Sequence, residues 1–145
     1  MVKPSKVVDG RGVFTEEFIP KGAVVWQFRE KDHICWRTEE EFDAWAKNKT
    51  ETEIDDCLMH LYCEKGVAIL ITDGTQYINH SLQPNLVADN ERMCSIAARD
   101  IQPGEEILEN YGEYETLDFI EQWAKKYNIV TCSKLPEHLE KFGTI

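Results

Sequence analysis

Apolar positions along the chain follow two rhythms. Short alternating or β-branched runs, bounded by Gly, Pro, Asp or Asn, predict strands at residues 7–8, 12–18, 24–28, 67–72, 86–88, 93–98 and 106–109. Helical spacing appears in three places. Thr38 and Glu41 have the spacing of a capping box, and Phe42, Trp45 and Ala46 then share one face. Thr52 can cap a second helix, in which Ile54, Cys57, Leu58 and Leu61 recur at i, i+3, i+4 and i+7. A third helix fits residues 115–127, with Leu117, Ile120, Trp123, Ala124 and Tyr127 on its buried side. Asp73-Gly74 is a turn signal. Ile19-Pro20-Lys21-Gly22 and Ile101-Gln102-Pro103-Gly104 echo each other, each a turn that leads into an apolar strand. Many short strands with a few helices predict a compact α+β domain that is mainly β.

Composition narrows the class. A chain of 145 residues favours one domain with one core, and 42% apolar residues are enough to fill it, which argues against disorder. No apolar run approaches the roughly 18–20 residues needed to span a bilayer. The N-terminal Met1-Val2-Lys3-Pro4-Ser5 lacks the apolar stretch of a signal peptide. Cys35, Cys57, Cys63, Cys94 and Cys132 form an odd set without a disulfide-rich spacing, so reduced thiols in a cytoplasmic or nuclear compartment are expected.

Charge bears on partners. The net charge of −11 argues against direct binding of nucleic acid, whose phosphates would be repelled. Residues 100–121 hold eight carboxylates and no Lys or Arg, and residues 39–56 hold eight more against Lys47 and Lys49. Such clusters make a solvated surface, and they can also steer a basic peptide.

Three segments carry candidate chemistry. Gly10-Arg11-Gly12 lies between two predicted strands, where glycines allow backbone to approach a ligand closely. Tyr77-Ile78-Asn79-His80-Ser81-Leu82-Gln83-Pro84-Asn85 places an amide and an imidazole before a Pro-Asn turn. Glu106-Ile107-Leu108-Glu109-Asn110-Tyr111-Gly112 ends a strand on a tyrosine. Taken singly, each is matched or outweighed by a plain turn or a core residue. Asn79-His80-Ser81 also fits a glycosylation acceptor, which the missing secretory signal argues against. A hydrolase using Ser81, His80 and Asp73 is disfavoured, since adjacent residues rarely converge as a triad. Cys57, His60 and Cys63 fall at i, i+3 and i+6 on the second helix, but a fourth zinc ligand is not evident, so no metal is expected.

The order and spacing of the three segments resemble SET-domain protein methyltransferases. The resemblance covers about residues 6–115, is strong over 71–114 and clear over 8–25, and is poor between 28 and 65. It implies a SET fold of small β-sheets with a knot-like active site formed by the 79–85 loop and the Tyr111 segment. A variable helical insert would span about 29–65 and a helical segment 115–145, within a single domain. The implied cofactor is S-adenosylmethionine, contacted by the backbone of Gly10, Arg11 and Gly12 and held by Asn79 and His80. Tyr111 would be the catalytic tyrosine and also contact the cofactor, and Trp123 would close the cofactor side. Trp26, Phe28, Tyr77, Tyr111 and Tyr114 are candidate walls of a lysine channel. The implied substrate is a lysine of a basic protein or peptide, such as a histone-like tail. Exposed aromatics could support a homodimer. Departures from the family pattern are Leu82, where many members carry Cys, and Asn110, where many have an Asp next to the tyrosine. The three-cysteine zinc cluster that follows many SET domains is absent, since only Cys132 lies beyond Tyr111. These departures keep open an alternative, a SET-like module that binds cofactor or peptide without turnover.

Overall fold

The structure is a computed structural model that describes residues 1–143. In chain order the elements are β1 (Val2–Pro4), β2 (Arg11–Phe14), β3 (Val24–Gln27), β4 (Ile34–Trp36), α1 (Glu39–Ala46), α2 (Glu51–His60), β5 (Tyr62–Glu64) and β6 (Val67–Leu70). They continue with β7 (Asn79–His80), β8 (Leu86–Asp89), β9 (Cys94–Ala97), β10 (Glu106–Glu109), α3 (Asp118–Tyr127) and α4 (Leu135–Phe142). The architecture is α+β and mainly β, with strands in small sheets. Among the described residues no helix is long and apolar enough to cross a membrane.

The chain divides into two compact units. The first comprises residues 1–29 and 73–110. It holds a four-stranded sheet in the order β1-β2-β10-β7 and a three-stranded sheet in the order β3-β9-β8. Val13, Ile78, Leu86, Ala97, Ile101 and Ile107 form its core. The two echoing turns pair with each other: Ile19 and Ile101 exchange both backbone hydrogen bonds, at 2.9 and 2.8 Å. Gly22 and Gly104 then take φ of +88° and +87°, a conformation that glycine adopts without a Cβ penalty.

The second unit comprises residues 30–72 and 111–145. Its three-stranded sheet runs β4-β6-β5, and its core centres on Trp36, Phe42, Ile54, Leu58, Leu61 and Ile120. The segment of poorest family resemblance thus supplies one part of a separately packed unit.

Several predicted elements shift. Residues 7–8 are not a strand, and Val2–Pro4 pairs with β2 in its place. The Ser5 hydroxyl accepts the N–H groups of Val7 and Val8, and the Glu106 carboxylate accepts that of Lys6, so side chains consume the donors a strand would need. Strand β2 stops at Phe14, four residues short of the predicted end. Thr38 caps α1 as expected, accepting the Glu41 N–H at 3.2 Å. The second helix is capped by Thr50 rather than Thr52. Thr50 Oγ1 accepts the Glu53 N–H at 3.2 Å, and Glu53 Oε2 accepts the Thr50 N–H at 2.9 Å, a complete capping box. Helix α3 begins at Asp118 rather than 115, because Glu115 is bridged to Cys63 through its N–H at 2.9 Å. Cys63 lies on β5, not on the second helix with Cys57 and His60. Strands β4 and β5 were not among the predicted elements, whereas helix α4 lies within the helical segment expected over 115–145.

Candidate functional site

Strand β10 organises the candidate residues of the first unit. On one side it pairs antiparallel with β2 (Ile107 opposite Val13), and on the other parallel with β7 (Leu108 opposite Asn79, Glu109 opposite His80). The Gly10-Arg11-Gly12 segment and the Asn79-His80 pair therefore flank one strand. Gly10 sits at the entry to β2 with φ of +150°. Arg11 and Gly12 are strand residues, not the free turn that the sequence pattern allows. Gly12 is required by close approach, since a Cβ there would lie 2.2 Å from Glu106 Oε1.

Asn79 reaches across this sheet. Its amide nitrogen donates to the Arg11 carbonyl at 2.6 Å and to Glu106 Oε1 at 3.2 Å. Glu106 is only 7% exposed and also accepts from Ser5 Oγ at 2.6 Å and the Lys6 N–H at 2.9 Å. The Arg11 guanidinium donates to the Tyr77 hydroxyl at 3.1 Å and lies over its ring, 5.1 Å from the centroid. His80 is half-buried, and burial pushes its imidazole below the ordinary 6.5, which favours the neutral ring at pH 7.

The loop after β7 is stitched to β10. The Ser81 N–H donates to the Glu109 carbonyl at 2.9 Å and the Asn85 N–H to the Leu108 carbonyl at 3.1 Å. The Asn85 side chain, 2% exposed, donates to the Glu106 carbonyl at 2.8 Å and accepts the Leu108 N–H at 2.8 Å. Sequence reasoning singled out neither Glu106 nor the Asn85 side chain for this work. The available signals were an acid at the head of an apolar strand and a Pro-Asn pair read only as a turn.

The candidate channel residues come from both units. In the first unit Trp26 donates through Nε1 to Asp73 Oδ2 at 3.0 Å and faces Phe28 at 6.4 Å, while Tyr77 is engaged by Arg11. In the second unit Tyr111 stacks on Tyr114 at 5.6 Å, and Tyr114 packs on Tyr62 at 4.8 Å. Tyr111 also lines a cavity of about 310 Å³ with Met59, Asn128, Ile129, Val130, Cys132, Leu135 and His138. Trp123 is packed in the second unit. Its Nε1 donates to Asp43 Oδ1 at 3.0 Å, and its ring stacks on Tyr127 at 5.7 Å and meets Phe42 at 5.4 Å, all packing between α1 and α3. Burial pushes the thiols of Cys57 and Cys63 up to about 12, and among the described residues no group of His, Cys, Asp and Glu is arranged to hold a metal ion.

The SET domain family model matches residues 10–112, from Gly10 to the Gly112 that follows Tyr111. The chain belongs to the SET domain family. The match spans all three motif segments and runs through the Glu30–Thr72 portion of the second unit. Among curated proteins, none matches the chain. Several solved SET structures do. A candidate histone methyltransferase from Plasmodium falciparum is 23% identical with a TM-score of 0.50, over 78% of this chain and 92% of that one. CpSET8 from Cryptosporidium is 21% identical with a TM-score of 0.55, over 81% of this chain and 59% of that one. The Polycomb Repressive Complex 2 from Chaetomium thermophilum, bound to S-adenosylmethionine, is 19% identical with a TM-score of 0.58, over 88% of this chain and 16% of that one. At 19–23% identity these structures establish the SET fold and nothing finer. This SET domain spans under a fifth of the Polycomb chain it matches.

Proposed function

We propose that this SET domain transfers a methyl group from S-adenosylmethionine to a lysine side chain of a basic protein or peptide. The observation that carries the reading is the set of groups around β10. Both N–H groups of the Asn79 amide are taken by Arg11 and Glu106, which leaves the amide oxygen as the acceptor offered to a ligand. Such an oxygen fits the ammonium of an amino-acid moiety. The neutral His80 adds no positive charge to oppose a sulfonium. Strand β2, which carries Arg11 and Gly12, flanks the same strand, and the glycines at positions 10 and 12 place no side chain there.

When bound, S-adenosylmethionine supplies an electrophilic methyl group on a sulfonium. The chain's residues then have three tasks. Asn79, His80 and the Gly10–Gly12 backbone hold and orient the cofactor. Aromatic walls, for which Trp26, Phe28, Tyr77 and Tyr114 remain the candidates, exclude water and disfavour the charged form of the target amine, whose ordinary pKa is about 10.4. The Tyr111 hydroxyl positions the methyl group and the incoming amine, so that alignment and electrostatics lower the barrier. The net charge of −11 favours a basic substrate such as a histone-like tail.

Calorimetry with S-adenosylmethionine, followed by transfer of labelled methyl to histones, tests this reading. The wild-type protein is expected to bind cofactor and label histone lysines. Tyr111→Phe is expected to bind comparably and label slower by on the order of 10²-fold, the usual cost of removing one positioned polar group from a transition state. Binding without labelling of any basic substrate would favour a cofactor-binding module, consistent with the Asn110 departure.

A further inference from the structure

We infer that Glu106 is the positioning residue of the cofactor site: its buried carboxylate fixes which way the Asn79 amide faces. This inference rests on the methyltransferase reading above. An asparagine amide can present either its oxygen or its nitrogen to a ligand, and a half-exposed one ordinarily samples both. Here two acceptors that cannot donate remove the choice. The Arg11 carbonyl, at 2.6 Å, and the Glu106 carboxylate, at 3.2 Å, both require the amide nitrogen. The amide oxygen must then face the other way.

Glu106 can do this because it is itself held. It is 7% exposed, and Ser5 Oγ and the Lys6 N–H bond one carboxylate oxygen each. Its Oε1 also fills the space above Gly12, where a Cβ would lie at 2.2 Å. One carboxylate therefore joins the N-terminal segment, the Gly12 strand and Asn79. An acid at this strand position is costly to bury, so its hydrogen bonds from Ser5, Lys6 and Asn79 are what retain it.

The test measures binding of S-adenosylhomocysteine and of its analogue lacking the α-amino group, with thermal melting to confirm folding. Wild type is expected to prefer the amino form by roughly 10- to 100-fold, the range for a charge-assisted hydrogen bond. Glu106→Gln is expected to melt cooperatively and lose at least tenfold of that preference, since its amide can no longer accept from every donor around it. Asn79→Asp separates positioning from simple contact. A freely presented carboxylate would bind an ammonium more tightly, whereas one facing Glu106 and the Arg11 carbonyl is repelled and loses affinity. The double variant Asn79→Asp with Glu106→Gln, in which donor and acceptor are exchanged, is expected to recover part of that loss. Should Glu106→Gln fail to fold, the half-exposed Asn79→Asp carries the test. Unchanged preference in Glu106→Gln, tighter binding in Asn79→Asp, or no recovery in the double variant would overturn the inference. Failure of wild type to bind either compound would instead overturn the methyltransferase reading, and the inference with it.

Discussion

Asn85 uses a side chain where a strand would use a peptide group. Its amide bonds the Glu106 carbonyl and the Leu108 N–H, and its own N–H bonds the Leu108 carbonyl, so a turn residue is locked to β10. Asn85→Ala leaves a buried donor and a buried acceptor unpaired. The expected loss is about 2–4 kcal/mol of stability, read from urea denaturation. Asn85→Asp keeps the acceptor for Leu108 but sets a carboxylate against the Glu106 carbonyl, so it should also destabilise. A loss within about 0.5 kcal/mol for both would show that water replaces these bonds. At this scale the sequence was legible in kind rather than in use. Asn79, His80 and Tyr111 stand out by motif, and the structure sets Asn79 and His80 across β10 from Arg11 and Gly12, with the Asn79 amide bonded to the Arg11 carbonyl. The work of Glu106 and Asn85 was hidden because it depends on partners far along the chain, such as Ser5 and Leu108, that no local pattern reveals.

Helix α2 shows how a local rule can be right and misplaced. The spacing of Ile54, Cys57, Leu58 and Leu61 correctly marks the buried face, but both Thr50 and Thr52 are acceptable caps by type. Glu53, three residues after Thr50, decides the matter by closing the reciprocal box. Thr50→Ala should cost about 1 kcal/mol in a urea melt, whereas Thr52→Ala should stay within about 0.5 kcal/mol. Equal effects would contradict the assigned cap. Strands β8, β9 and β10 were legible as short apolar runs bounded by Asn, Asp, Gly or Pro turns. Strand β4 was not, since Ile34-Cys35-Trp36 is short and sits amid charged residues, and its strand character comes from pairing with β6. The echo of Ile19 and Ile101 was visible as a likeness of turns, but their mutual pairing was not, because sequence distance carries no register.

At the scale of the whole molecule, charge and buried thiols set the response to solution conditions. Cys57 and Cys63 rise from an ordinary 9.0 to about 12 in the folded chain. Between those values the unfolded chain releases these protons and the folded chain retains them, so stability is full below pH 9 and falls as pH rises toward 12. Urea midpoints across that range should fall, and Cys57→Ala with Cys63→Ala should flatten the dependence even as it lowers stability. A dependence unchanged by the double replacement would assign the alkaline loss to other groups. The acidic balance belongs to the same scale: if the −11 charge steers a basic substrate, added salt should slow capture of peptide more than transfer itself. The central claim, methyl transfer to lysine by this SET domain, is tested most directly by tandem mass spectrometry of histones incubated with the protein and S-adenosylmethionine. Methyl groups on lysine side chains are expected with wild type and lost with Tyr111→Phe. Methylation that persists undiminished in Tyr111→Phe, or no methylation of any histone or basic peptide by cofactor-bound wild type, would contradict the claim.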